Sequence, residues 1–148
     1  MNKEELEEFL KAKGARFELI YTRQPILSVA QAQEYFPIQS LSLSLVLKAD
    51  KGFFALLPLA ERGRVDFKML KKLLGCKDVN LATEKQVIAQ TGYEIGNVPL
   101  VGHGLPVIFD KKLLLHDYIY GGSGDKNYTL KINPQDLKML SHVFMEFA

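Results

Sequence analysis

The stretch Leu41-Ser42-Leu43-Ser44-Leu45-Val46-Leu47-Lys48 constrains this chain more than any other segment. Leucine stands at every odd position, and the even positions are mostly polar. Side chains alternate between faces along a strand, so this period of two predicts a β-strand with its leucines on one face. Asp50-Lys51-Gly52 follows as turn chemistry and Phe53 to Leu57 as a second strand, making a hairpin the expected unit.

Helices are expected on either side of it. Asn2 with Glu5 forms a capping-box pattern ahead of Leu6, Phe9 and Leu10, and Gly14 is placed to end that helix. Ser28 with Gln31 repeats the pattern for a helix over Val29 to Phe36, closed by Pro37. Asp66 caps a helix carrying Phe67, Leu70, Leu73 and Leu74 that ends at Gly75, and Thr83 with Gln86 opens one ending at Gly92. Asn133-Pro134 starts the last helix, whose apolar face is Leu137, Leu140, Val143 and Phe144. Phe17 to Tyr21, Val107 to Phe109, Tyr118 to Tyr120 and Tyr128 to Ile132 read as further strands, and Val79 to Leu81 is too short to assign. This irregular alternation predicts an α+β fold rather than a doubly wound α/β sheet.

The 148 residues suffice for one domain, expected to span 1–148. With 47% hydrophobic and 24% charged residues the composition is that of an ordinary globular protein. No apolar run approaches the ~18–20 residues of a membrane span. The amino terminus, MNKEELEEFLKAKG, has no signal-peptide apolar core. A cytoplasmic location without membrane partners is the expectation. The formal net charge of +2 is too small for tight non-specific binding of nucleic acid, but it leaves room for a local basic patch.

Familiar chemical motifs are missing: there is no phosphate-binding P-loop, no complete G-x-G-x-x-G, no H-E-x-x-H and no G-x-S-x-G. Two glycine-rich stretches remain, Gly92 to Gly104 and Gly121 to Asp125. Glycine lets backbone N–H groups approach a ligand, although the same residues also serve tight turns. His103, between Gly102 and Gly104, is expected to be accessible and is a candidate base or donor. His116 and His142 are expected to be structural or at the surface, and Lys71-Lys72 and Lys111-Lys112 to be solvated or to form a basic rim. Cys76 follows a helix carboxyl end, the wrong dipole end for a reactive thiolate. A lone cysteine also makes no disulfide and no multi-thiolate zinc site. No ligand cluster is visible, and no metal and no cofactor are expected.

Several segments occur together in a recognisable order. They are Ser44 to Asp50, Val65-Asp66 with Lys71 to Gly75, and Leu81-Ala82-Thr83. Thr91 to Gly102, Pro106 to Asp110, Gly122-Ser123-Gly124 and Asn133 to Leu137 follow. As an ordered set over roughly residues 15 to 140 they resemble the YbaK/prolyl-tRNA-synthetase-associated family of aminoacyl-tRNA deacylases. The resemblance implies a mixed, barrel-like sheet of six or seven strands surrounded by helices. It also implies metal-free hydrolysis of the ester joining a wrong amino acid to tRNA, assisted by the substrate's own ribose hydroxyl. The partner is then the aminoacyl-tRNA acceptor end, with an aminoacyl-tRNA synthetase as a second one. Mapped here, the catalytic candidates are Gly96, Gly102, His103 and Gly122. The substrate-binding candidates are Leu43, Val98, Pro99, Leu100, Ser123, Gly124, Asp125 and Tyr128. Three departures stand out. Leu43 occupies the position where many members carry lysine, Pro99 stands one place early in the family's G-x-x-x-P turn, and no histidine lies near Tyr128. Two expectations follow: a free-standing editing hydrolase of divergent type, or a non-catalytic module binding a tRNA end or a synthetase. In both, the two glycine loops should converge beside Leu43.

Overall fold

A computed structural model describes residues 1–148. Its helices are α1 (Lys3–Ala12), α2 (Val29–Ala32), α3 (Phe67–Leu74), α4 (Glu84–Thr91) and α5 (Pro134–Leu140). Its strands are β1 (Phe17–Tyr21), β2 (Leu45–Ala49), β3 (Gly52–Leu57), β4 (Val79–Leu81), β5 (Val107–Asp110), β6 (Ile119–Gly122), β7 (Tyr128–Ile132) and β8 (Val143–Phe147). The fold is α+β, as expected. Eight strands, rather than six or seven, form two separate sheets ordered β1-β7-β6 and β4-β2-β3-β5-β8, and these do not close into one barrel. Only isolated bridges, Leu41 to Tyr120 and Ser42 to Leu59, lead from one sheet toward the other.

The five-stranded sheet has a core on each face. Val46, Ala55, Leu57, Val107 and Phe109 point into the larger cluster, which also takes Leu6 and Leu10 of α1. Leu47, Phe54, Leu56, Ile108 and Phe147 point into a smaller one roofed by Leu70 and Leu74 of α3. Burial on both faces is why Phe53 to Leu57 and Val107 to Phe109 are continuous apolar runs rather than alternating ones. The hairpin forms in the expected place, with Leu45 opposite Leu56 and Leu47 opposite Phe54. Asp110, fully buried, accepts hydrogen bonds from Leu59 N–H and Lys112 N–H and pairs with both arms of the Arg62 guanidinium.

Helix caps follow the sequence closely at Asn2 and Thr83, where both halves of the capping box are made. Asp66 caps α3 by accepting from Met69 N–H, and Gly75 ends it in the left-handed region at φ 64°. Three expectations need correction. The helix from Val29 stops at Ala32 instead of Phe36. Its Gln31 carboxamide accepts from Leu27 N–H rather than from the cap, and Phe36 instead stacks on Tyr120. The regular strand of the leucine repeat begins at Leu45, because Leu41 and Ser42 bridge to other partners and the Ser44 hydroxyl donates to the Pro99 carbonyl. The last helix ends at Leu140, and Val143 and Phe144 belong to β8, which lies parallel to β5. His142 is therefore at the α5–β8 junction, where its carbonyl accepts from Val107 N–H. The short segment 79–81 does pair, as an edge strand on β2.

Candidate functional site

A cavity of about 270 Å³ opens between α2 and the two sheets. Its wall is built from the chain before and within α2 (Ile26 to Ala32), the crossing segment Leu41 to Val46, and Leu81, Ala82 and Val87. The two glycine loops complete it, with Ile95 to Val98 on one side and Gly121, Gly122, Asp125, Tyr128 and Thr129 on the other. Of its 23 lining residues 14 are hydrophobic, so shape selects what enters. Exposed Leu81 and Ile95 are among the lining residues.

The loops converge because their glycines allow backbone to touch backbone. A Cβ on Gly96, at φ 83°, would lie 2.3 Å from the Leu27 carbonyl oxygen. One on Gly122 would lie 2.5 Å from the Val98 oxygen. No side chain fits either gap, so these glycines are required for the wall to close, whatever they donate to a ligand. Hydrogen bonds then lock the segments. Leu100 N–H donates to the Gly122 carbonyl at 3.0 Å and the Asn97 amide donates to the Gly124 carbonyl at 2.9 Å. Ile26 N–H donates to the Lys126 carbonyl at 2.8 Å. Ser123, buried, donates through its hydroxyl to the Tyr128 carbonyl and also meets the backbone of Asp125.

The structure brings together Leu43, Gly96, Val98, Gly122, Asp125 and Tyr128 on this wall. Six other residues expected at the site do not line it. Leu100 is fully buried in the main core, and Pro99 contributes only its carbonyl to Ser44. Ser123 and Gly124 shape the loop from behind, where the missing Cβ of Gly124 faces the Tyr93 ring. Gly102 packs toward Met1 and Leu6. His103 is buried, not accessible: Nδ1 accepts from Leu105 N–H and Nε2 has no hydrogen-bond partner. Burial pushes its pKa down to about 4, against a smaller opposing effect of the Leu100 backbone. A neutral imidazole in the core is not the group that works on a ligand in the cavity. His116, Lys71, Lys72, Lys111 and Lys112 also lie off the wall, and Cys76 is buried in the smaller core.

Reading the sequence alone missed the stretch Ile26 to Ala32, together with Asn97 and Thr129. The Ser28–Gln31 cap marks α2, but nothing in it announces that α2 roofs a cavity. The wall holds no histidine, cysteine, lysine or arginine, and its one carboxylate is Asp125, whose Oδ1 accepts from Asn127 N–H at 3.0 Å. No group of three or more His, Cys, Asp or Glu side chains is placed to hold a metal ion. The Tyr128 ring sits between the edge of Tyr21 and the Lys3 ammonium, which lies 4.2 Å from its centroid.

Fold and cavity together define an α+β protein with a small, mostly apolar cavity. Residues 24–140 match the family described as the aminoacyl-tRNA editing domain, and the chain belongs to that family. A proline–tRNA ligase of Desulfotalea psychrophila is 33% identical over 93 residues, which is 63% of this chain and 16% of the ligase. The chain thus spans about a sixth of that relative's length. The crystal structure of a hypothetical protein superposes with a TM-score of 0.83 at 27% identity, covering 95% of this chain and 96% of the other. A candidate trans-editing enzyme for prolyl-tRNA synthetase gives 0.77 at 22% identity, covering 98% and 95%, and shares the fold.

Proposed function

We propose that this protein is an aminoacyl-tRNA deacylase that hydrolyses the ester of mischarged tRNA in trans. The observation that carries this reading is the mostly apolar cavity of about 270 Å³, in a chain of the editing-domain family. A binding site distinguishes amino acids differing by one methylene by only ~1–3 kcal/mol, so a second, shape-selective cavity is what removal of a wrong residue needs. Action in trans is supported by the likeness in fold to a candidate trans-editing enzyme. A cytosolic site of action, and a synthetase as second partner, go with that reading.

The chemistry is a water attack on the ester carbonyl carbon, with the ribose oxygen leaving and taking up a proton. Without a nucleophile–base pair in the wall, the protein contributes position and polarisation. Holding the ester rigidly beside a water lowers the entropic part of the barrier, and backbone dipoles of the glycine loops stabilise the developing oxyanion. Asp125 is assigned the α-ammonium group of the aminoacyl ester, being the one carboxylate in the wall. The apolar side chain then points among Leu43, Leu45 and Val98.

The absence of any cationic or imidazole side chain from the wall, with Leu43 in place of the family's lysine, favours a second reading, a module that binds the charged tRNA end without cleaving it. A deacylation screen over mischarged tRNAs decides between them. Hydrolysis of one or a few small aminoacyl esters, reduced at least 10-fold in Asp125→Asn, is expected. Retained binding with no turnover on any member of the panel establishes the binding module instead.

A further inference from the structure

Beside the cavity, the three-stranded sheet carries a row of aromatic rings around one lysine. The pair Gly122–Thr129 lies on the cavity wall, and the next pair on the same face of the β6–β7 ladder is Tyr120–Lys131. Same-face residues recur every second position, so the step from one pair to the next is about 7 Å. Tyr118 stands a further two residues along. The Lys131 ammonium lies 4.7 Å from the Tyr118 ring centroid and 6.0 Å from that of Tyr120. Phe36 stacks on Tyr120 with centroids 4.6 Å apart and planes within 20°. Tyr118 is 37% exposed.

Lys131 faces Glu18 of β1 across the ladder, yet it makes no ion pair and leans over the rings instead. An ammonium held against ring faces keeps its charge available for an anion. An exposed ring, Tyr118, and a half-buried one, Tyr120, with an unpaired cation between them are the elements from which proteins build platforms for single-stranded nucleic acid: bases stack on the rings and the cation meets a phosphate. Spacing and position agree with that use. Same-face residues of a strand recur about every 7 Å, so the ladder offers evenly spaced positions leading away from the cavity wall for successive nucleotides.

We infer that the Tyr118–Tyr120–Lys131 face is a stacking track that receives the unpaired nucleotides just upstream of the esterified terminal ribose. The terminal nucleotide then sits at the cavity mouth beside Gly122, the next reaches Tyr120 and Lys131, and the one before it stacks on Tyr118. This inference rests on the deacylase reading for its substrate, but its own test does not require turnover. It also explains how a chain with a net charge of only +2 holds an RNA end, through stacking more than through charge.

The experiment measures binding of a fluorescently labelled single-stranded RNA tetranucleotide with the sequence of a tRNA 3′ end. Wild type, Tyr118→Leu, Tyr118→Phe and Lys131→Gln are compared, each checked for a native thermal transition. Tyr118→Leu is expected to weaken binding about 10-fold, the scale of one base–aromatic stack. Tyr118→Phe, which keeps the ring, is expected to bind like wild type. Lys131→Gln is expected to reduce the slope of log affinity against log salt by about 0.7, the value for one phosphate of a single strand. Wild-type affinity in folded Tyr118→Leu, or equal affinity of the wild type for a blunt duplex, overturns the track. Failure of the wild type to hydrolyse any charged tRNA, with these binding differences intact, overturns the deacylase reading and leaves the track standing.

Discussion

Two side chains decide most at the residue scale. Leu43 is half-buried and lines the cavity, so a longer polar chain there has space to reach its mouth. Leu43→Lys is expected to fold and to raise deacylation or affinity for the charged end about 10-fold, since a charge-assisted hydrogen bond to phosphate contributes roughly 1.5–3 kcal/mol. Thermal denaturation beside a deacylation assay checks it; collapse of the melting temperature means that the leucine is a core residue. His103 makes the opposite case, a histidine that loop glycines suggest is accessible and that the tertiary structure buries. Its pKa falls from 6.5 to about 4, so the unfolded chain takes up a proton that the native protein refuses. Stability from this group is complete above pH 6.5 and is lost as the pH falls toward 4. The slope is at most about 1.4 kcal/mol per pH unit. Urea unfolding between pH 7 and about 4.5, where carboxylates stay mostly ionised, is expected to show this decline, and His103→Gln to flatten it.

At the scale of elements, the ends of the chain matter beyond the segment that matches the family. Residues 24–140 carry the match, but Leu6 and Leu10 of α1 are 1% and 0% exposed in the main core, and Phe147 of β8 closes the smaller one. Leu10→Ala is expected to cost about 2–5 kcal/mol in chemical denaturation, the range for emptying a leucine site in a packed core. The Arg62–Asp110 pair is a second device at this scale, joining the residues after β3 to the end of β5. Arg62→Ala leaves a fully buried carboxylate with only two backbone donors and is expected to destabilise by about 3–5 kcal/mol. A smaller loss in a denaturant titration means that solvent reaches Asp110 once the guanidinium is gone.

On the scale of the whole molecule, the proposed hydrolysis by placement sets the expected response to conditions. No acidic, histidine or cysteine cluster is arranged around a metal position, and Cys76 is in the smaller core. Hydrolysis is therefore expected to survive EDTA and the substitution Cys76→Ala; loss of turnover in either, with folding intact, contradicts it. The modest net charge of +2 predicts a shallow salt dependence for binding charged tRNA, with a slope corresponding to a few phosphates at most. A steep slope in a salt titration would reveal a wide electrostatic footprint along the acceptor stem instead.

By itself the sequence determined what depends on neighbours a few positions apart. Caps at Asn2, Asp66 and Thr83, the left-handed stop at Gly75 and the hairpin through Asp50-Lys51-Gly52 are local geometry, and each is where its residues put it. The glycines that bring the loops beside Leu43 were also legible as a pattern. Tertiary structure decided everything that needs a distant partner. Val143 and Phe144 fit a helix face equally well, and only pairing with β5 makes them a strand. Leu41 leaves the leucine repeat because it bridges to Tyr120, 79 positions away, whose carbonyl accepts from the N–H of Ser42. His103 is buried and α2 roofs the cavity for the same reason: burial is set by which segments pack together, and local periodicity carries no information about that.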